Sequence, residues 1–286
     1  MKNTKSEILV IGSVVRDVTI RGFDKKESLG GTGTNISFGL GVLGLRPTLV
    51  SVAGNDFSKK LLSFYSKNGI TEKIFIEKSG NTAVFSMTID KYGKEEGDWQ
   101  PNVFNKVEDI KLSDFFKDKE LKQVKIAIFS PGTPISTLKH MIEFRKKASK
   151  RAIVIFDPGQ MTNFYSKKQL EKCIKLSDIL ILNKIEFEQV EKVLGKNILK
   201  LFKNKILIKT LGGDGSEIYE KEKMTHIPVV KPKKVVSTVG AGDAYRAGLI
   251  YGLLNKLKLE NACKIGAKFS SKKVECIGCK KSFFKL

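Results

Sequence analysis

The chain has 286 residues, 41% of them hydrophobic, and carries 52 Lys and Arg against 30 Asp and Glu for a formal net charge of +22. That length holds one large α/β domain or two small ones. No apolar run approaches the roughly 18 residues of a membrane-spanning helix, and MKNTKSEILVIG has no long apolar stretch or cleavage pattern, so a cytoplasmic protein is expected.

Only six of the basic residues are Arg, and the Lys residues are scattered over almost every segment. Spread this way they make a solvated surface, not a nucleic-acid stripe, although the bias can help draw in a polyanionic substrate. Cys173, Cys263, Cys276 and Cys279 make no disulfide framework in a chain this long. Cys276-Ile-Gly-Cys279 has the spacing of half a zinc site, but His140 and His226 are remote in sequence. Reduced thiols in a packed C-terminal segment are therefore expected.

Short Ile- and Val-rich runs recur at 7–12 (EILVIG), 47–54 (PTLVSVAG), 125–132 (KIAIFSPG), 152–159 (AIVIFDPG), 178–183 (DILILN) and 205–213 (KILIKTLGG). Each is nearly continuous and closed by Gly, Pro, Asn or Asp, the pattern of a strand buried on both faces. Helical patterns are expected at 35–43, 58–67, 137–150, 167–176, 186–194 and 244–254. The alternation predicts a mostly parallel sheet covered on both sides.

Two stretches break this rhythm. Residues 14–23 (VVRDVTIRGF) and 82–100 (TAVFSMTIDKYGKEEGDWQ) alternate apolar and polar side chains, and the second contains a Tyr-Gly turn. They predict antiparallel strands exposed on one face, a small sheet drawn from about 14–30 and 82–105. No Pro/Gly/Ser linker divides the chain, which predicts one domain over 1–286. A half-apolar lid needs a cover, and lid-to-lid pairing into a homodimer would supply one.

The segment 237–248, STVGAGDAYRAG, places three small residues, Gly240, Ala241 and Gly242, where a helix begins. The free amides there point along the axis at the electropositive end, which suits an anion. A carboxylate at the same point, Asp243, would repel a phosphate. It makes sense if it accepts a proton from a hydroxyl that attacks a phosphoryl group held by the amides. A tight turn with Asp243 as a cap explains the same residues, and the segment alone leaves both open.

Five segments occur in order: 28–44 (SLGGTGTNISFGLGVLG), 53–57 (AGNDF), 181–188 (ILNKIEFE), 208–216 (IKTLGGDGS) and 235–249 (VVSTVGAGDAYRAGL). Together they resemble the ribokinase-like, or phosphofructokinase-B type, family of small-molecule kinases, from about residue 8 to the C-terminus. The resemblance implies a three-layer α/β/α Rossmann-like domain with a small β-sheet lid. It also implies transfer of the γ-phosphoryl group of ATP to a hydroxymethyl group, with the acceptor under the lid and the nucleotide across the opposite edge of the sheet.

Roles carry over by position. The resemblance implies that Asp243 is the base and that the amides of Gly240, Ala241 and Gly242 form the anion hole. It implies that Asp17 accepts bonds from two substrate hydroxyls and that Gly30, Gly31 and Asn35 fix the sugar. Asn183 and Glu186, an N-x-x-E pair, would organise Mg²⁺ through water, with Asn183 also beside the nucleotide. Thr210, Gly212 and Gly215 match the nucleotide loop.

Three departures shape the expected substrate and ions. Val15 and Thr32 stand where ribose-type members have Asn and Lys, which favours an acceptor with an apolar part, a nucleoside. The stretch 156–160, FDPGQ, resembles that of some bacterial adenosine kinases, so an adenosine-like acceptor is favoured over a sugar. Ser237 stands where potassium-activated members carry an acid, and Lys280 and Lys281 add positive charge nearby, so a weak response to K⁺ is expected. A phosphorylated-sugar kinase is the alternative. A catalytically silent member in a nucleic-acid complex is another, disfavoured by the intact Asp243. A dinucleotide-binding dehydrogenase is disfavoured because 30–35 follows a lid segment instead of the first core strand.

Overall fold

The computed structural model describes residues 7–57, 59–90, 92, 94–195, 197–201, 205–221 and 223–276. Strand β1 (Ile8–Ile11) leads into two lid strands, β2 (Val15–Arg21) and β3 (Asp24–Gly30), and α1 (Thr32–Val42) returns the chain to β4 (Thr48–Gly54). After α2 (Lys59–Lys67) and β5 (Thr71–Glu77) comes the lid hairpin β6 (Val84–Ile89) and β7 (Glu95–Gln100). Two 3-10 turns and the short α3 (Asp118–Leu121) precede β8 (Ile126–Phe129), α4 (Pro134–Lys147), β9 (Ile153–Phe156), α5 (Lys167–Leu176), β10 (Ile179–Asn183), α6 (Lys184–Leu194) and β11 (Ile206–Thr210). An antiparallel pair, β12 (Ser216–Glu220) and β13 (Lys223–Ile227), then gives way to α7 (Ala241–Leu254) and α8 (Leu259–Val274).

The main sheet runs in the order β13-β12-β11-β10-β9-β8-β1-β4-β5. From β11 to β5 every pairing is parallel. Side-chain period two divides its strands between two apolar layers. Ile8, Val10, Leu49, Ile126 and Ile128 face one core with Phe38 of α1, Leu249 of α7 and Phe269 of α8. Leu9, Ile11, Val50, Ala127 and Phe129 face the other with Phe144 of α4, Leu170 of α5 and Val190 of α6. Helices on both faces of a mostly parallel sheet make the three-layer α/β/α architecture that the alternation implies.

The lid is a four-stranded sheet in the order β3-β2-β6-β7. Its two hairpins are antiparallel as expected, but its central pair is not: β2 and β6 run parallel, with Asp17 opposite Phe85. The chain leaves the lid after β3, crosses α1, β4, α2 and β5, and re-enters from the same end, so the returning strand runs with β2. The lid also stops sooner than expected, because 102–105 lie in the 3-10 turn Asn102–Glu108. Its root is tied to β4 by Asp56. Oδ1 of that residue accepts from both the amide and the hydroxyl of Thr82 at 2.7 Å, and Oδ2 accepts from Arg16 of β2 at 2.6 Å. The AGNDF segment thus joins both lid entries to the core.

Helices α1 and α7 begin three residues earlier than the apolar periodicity suggests. Gly31 at φ 87° and Gly240 at φ 77° are their N-caps, and neither has a side chain to cap with. Both backbones lie in the left-handed region that favours glycine, and the small residues that follow form the first helical turn instead of a loop. Helix α4 starts at Pro134 behind the Thr133 cap and stops at Lys147, where Ala148 is already extended.

Candidate active site

A cavity of about 640 Å³ opens where the carboxyl ends of β9, β10 and β11 face the N-terminus of α7. Ligands of open α/β sheets bind at this edge, because the loops there are free to shape a site on a rigid base. Gly240, Ala241, Gly242 and Asp243 line the cavity, as do Asn183, Glu186, Thr210, Gly212 and Gly215. The structure therefore brings the expected catalytic, nucleotide and metal residues to one place.

The four residues expected to hold the acceptor, Asp17, Gly30, Gly31 and Asn35, are not among those lining this cavity. Asp17, on β2, pairs with Ser28 of β3, and its carboxylate reaches over Gly30 two residues along: a Cβ on Gly30 would fall 1.8 Å from Asp17 Oδ2. A side chain there would displace the carboxylate. Gly31 passes close to the Ser13 carbonyl, 2.6 Å from where its Cβ would be. Asn35, on α1, crosses to the other group: its Nδ2 donates to Asp243 Oδ2 at 2.8 Å. Val15 is buried, and Thr32 bonds the hydroxyls of Ser13 and Ser130 at 3.1 and 3.3 Å.

Burial pushes the Asp17 carboxyl up to about 6, and the neighbouring Asp243 adds to the shift by repulsion. Asp243 is itself raised, chiefly by loss of water, while Arg246 and the Asn35 hydrogen bond act the other way. Two carboxyls that feel each other across a shared space are what an acceptor with several hydroxyls would bridge.

A buried charge cluster lies beneath the turn. Arg246 Nη2 donates to Asp157 Oδ1 at 2.7 Å, and Nε lies 2.5 Å from Oδ2 as an ion pair without hydrogen-bond alignment. Arg246 is 7% exposed and Asp157 1%. Burial acts against the Arg246 charge, but Asp157, Glu186 and Asp243 together outweigh it and raise the guanidinium. The Asp157 carboxyl is raised by burial, with Arg246 opposing. Glu186 is raised by burial and by Asp157. Asp157 in FDPGQ and Arg246 in GDAYR have no role among the expectations drawn from the sequence. The signal available was spacing, since an Arg three residues after Asp243 on a helix returns to the same face.

Asn183 and Glu186 also form a reciprocal cap on α6: the Asn183 amide donates to Glu186 Oε2 and the Glu186 amide to Asn183 Oδ1, both at 2.8 Å. This spends the Asn183 carbonyl oxygen and one Glu186 oxygen on the helix start. Glu186 keeps its second oxygen for the cavity that both residues line. In the turn expected to form the anion hole, the Ala241 amide donates to the Thr238 carbonyl at 3.1 Å and would have to turn to meet a phosphate. Cys173, Cys263 and Cys276 are buried and are not among the residues lining the cavity, and Cys279 with Lys280 and Lys281 falls outside the described residues. Among the described residues no cluster of three or more metal-ligating side chains occurs, and no helix is long and apolar enough to cross a membrane.

Fold and site together are those of a phosphotransferase with an alcohol group as acceptor. A model of the pfkB family of carbohydrate kinases matches residues 5–285, and the chain belongs to that family. It is 32% identical over 262 residues to a nucleoside kinase of Methanocaldococcus jannaschii, covering 87% of this chain and 80% of that one. The crystal structure of the M. jannaschii nucleoside kinase, an archaeal member of the ribokinase family, matches with a TM-score of 0.85 at 28% identity, over 96% of this chain and 94% of that chain. The nucleoside kinase of Burkholderia thailandensis in complex with inosine shares the fold, with a TM-score of 0.84 at 22% identity over 95% and 92% of the two chains.

Proposed function

We propose that this kinase transfers the γ-phosphoryl group of ATP to the hydroxymethyl group of a nucleoside, with an adenosine-like acceptor favoured. The observation that carries the reading is the Asn35–Asp243 contact at 2.8 Å, which joins the lid-side residues to the base at the mouth of the anion hole. In the reaction the acceptor oxygen attacks Pγ, its proton passes to an Asp243 carboxylate oxygen, the bond from Pγ to the bridging oxygen breaks, and ADP leaves. Asp17 holds two acceptor hydroxyls, Gly30 and Gly31 admit the sugar to the backbone, and Asn35 keeps Asp243 oriented. The amides of Gly240, Ala241 and Gly242 receive the charge that develops on the phosphoryl oxygens. Thr210, Gly212 and Gly215 would hold the nucleotide with Asn183.

Glu186 fits a Mg²⁺ ion approached through water, since one of its oxygens is committed to the α6 cap and Mg²⁺ keeps several waters. Bound there with the phosphates, Mg²⁺ would neutralise charge on the transferred group.

A nucleoside is favoured over a free sugar by two features. Val15 presents a buried apolar side chain, and the hydroxyl of Thr32 is engaged with Ser13 and Ser130. The related nucleoside kinases agree with this. The use of ATP fits a cytoplasmic setting, and the lid sheet fits pairing with a second copy. Assaying ATP-dependent product formation across purine and pyrimidine nucleosides, free sugars and sugar phosphates tests the reading. Purine nucleosides should turn over best; preference for a sugar or sugar phosphate would overturn the nucleoside assignment while keeping the chemistry.

A further inference from the structure

Lys273, in the last turn of α8, is only 8% exposed, yet among the described residues it makes no ion pair with a carboxylate. Its Nζ donates to the Val239 carbonyl at 2.8 Å and reaches the Cys276 carbonyl at 3.4 Å. Val239 is the residue before the Gly240 cap of α7, and Cys276 is the residue after the Glu275 cap of α8. The stem of the same side chain lies against Gly240, where a Cβ would sit 3.3 Å from Cε and 3.8 Å from Nζ. The amides of Val236 and Ser237 donate to the Val274 carbonyl at 2.7 and 3.2 Å, stitching the approach to the turn onto the same end of α8.

An ammonium taken out of water needs fixed acceptors, and carbonyl dipoles plus the negative end of a helix supply them here. A neutral side chain could bridge two loops at far lower desolvation cost. The position of the charge explains why a cation is used: it stands against Gly240, in the turn whose residues line the cavity, and it favours the ionised form of Asp243.

We infer that Lys273 is a built-in cation of the phosphoryl-transfer site, fixing the 237–240 turn from behind and supplying positive charge that a bound monovalent ion would otherwise provide. It touches no reacting atom and is a positioning residue. The inference rests on the kinase reading only for its effect on turnover; its effect on the nucleotide site stands apart from it.

The test measures ATP affinity by calorimetry and phosphoryl transfer by product formation, in K⁺ and in tetramethylammonium at equal ionic strength. The unmodified chain should give the same affinity and rate in both salts. Lys273→Met should lose on the order of tenfold or more in kcat, with a smaller change in the acceptor KM, and K⁺ or ammonium should restore part of the loss. Lys273→Gln serves as the second variant should the first fold poorly. Strong stimulation of the unmodified chain by K⁺, full activity of either variant in tetramethylammonium, or a loss in a folded variant that no small cation repairs would each overturn the assignment. An unmodified chain that binds ATP but phosphorylates nothing would overturn the kinase reading, while the salt dependence of affinity would still decide the role of Lys273.

Discussion

Asn35 and Asp243, 208 positions apart, meet in a hydrogen bond of 2.8 Å between Nδ2 and Oδ2. The bond joins the N-terminal turns of α1 and α7, two helices that also pack closely further along, where Gly39 of the first meets Ala247 of the second. It also holds Asp243 in one orientation and favours its ionised form.

Asp243→Asn should fold and bind ATP but lose about 10²–10⁴ in turnover, because an amide keeps the shape and cannot accept the proton. Asn35→Ala should act more mildly and in a diagnostic direction. Without the donated bond the Asp243 carboxyl rises further, so the acidic limb of the kcat profile should move to higher pH. Steady-state kinetics across pH check both variants. Near-normal turnover in folded Asp243→Asn removes the residue from the mechanism, and an unmoved limb in Asn35→Ala removes its influence on the base.

Much of this fold is legible in the residues because the core strands are continuous apolar runs, as in Ile8–Ile11 and Ile126–Phe129. Other elements are harder to see. The strands β12 and β13, SEIYE and KMTHI, pair at the sheet edge with half their side chains in water, and their polar content resembles loop. Helix α8, LENACKIGAKFSSKKV, buries small and polar residues such as Gly266, Ser271 and Lys273 against the core, so its apolar stripe is faint. In the site, the Asn183–Glu186 pair is local and readable as a capping box. The Asp157–Arg246 pair spans 89 positions, and only the three-dimensional fold brings it together.

Breaking that pair should be costly. Arg246→Met would leave Asp157 buried and unpaired and strip Glu186 and Asp243 of their offsetting charge, so a loss of roughly 3–5 kcal/mol is expected. Arg246→Lys should recover little, since a single ammonium cannot meet both carboxylate oxygens. Adding Asp157→Asn to Arg246→Met should recover part of the stability. Urea denaturation of the three variants measures this, and equal losses for the single and double variants would show that packing, not charge, holds the cluster.

The lid offers a prediction about assembly. Phe85 and Trp99 sit opposite each other on β6 and β7, and both are partly exposed. Covering such a face with a second copy would remove apolar area from water, at about 25 cal/mol per Å². Sedimentation velocity at micromolar concentration should find a dimer, and Trp99→Glu should shift it to monomer. A monomeric unmodified chain would return the lid to covering the acceptor alone.

Asp17 ties acceptor binding to pH. Its carboxyl stands at about 6 because burial, and then the charge of Asp243, disfavour ionisation. Only the ionised form can accept two hydroxyl hydrogens, so the acceptor KM should climb as pH falls through about 6, approaching tenfold per unit. The ATP KM should not follow, since Asp17 is not among the residues lining the nucleotide side of the cavity. Stability responds with the opposite sign: the raised carboxyl contributes fully below its ordinary value of 3.8, and that contribution is lost as pH rises through about 6. Asp17→Asn should therefore bind the acceptor weakly at every pH, lose the inflection near 6, and be at least as stable as the unmodified chain at neutral pH. Measuring both KM values and the urea midpoint over this range separates the two roles. If the acceptor KM is flat down to the ordinary carboxylate range, Asp17 carries no substrate hydroxyls in this chain.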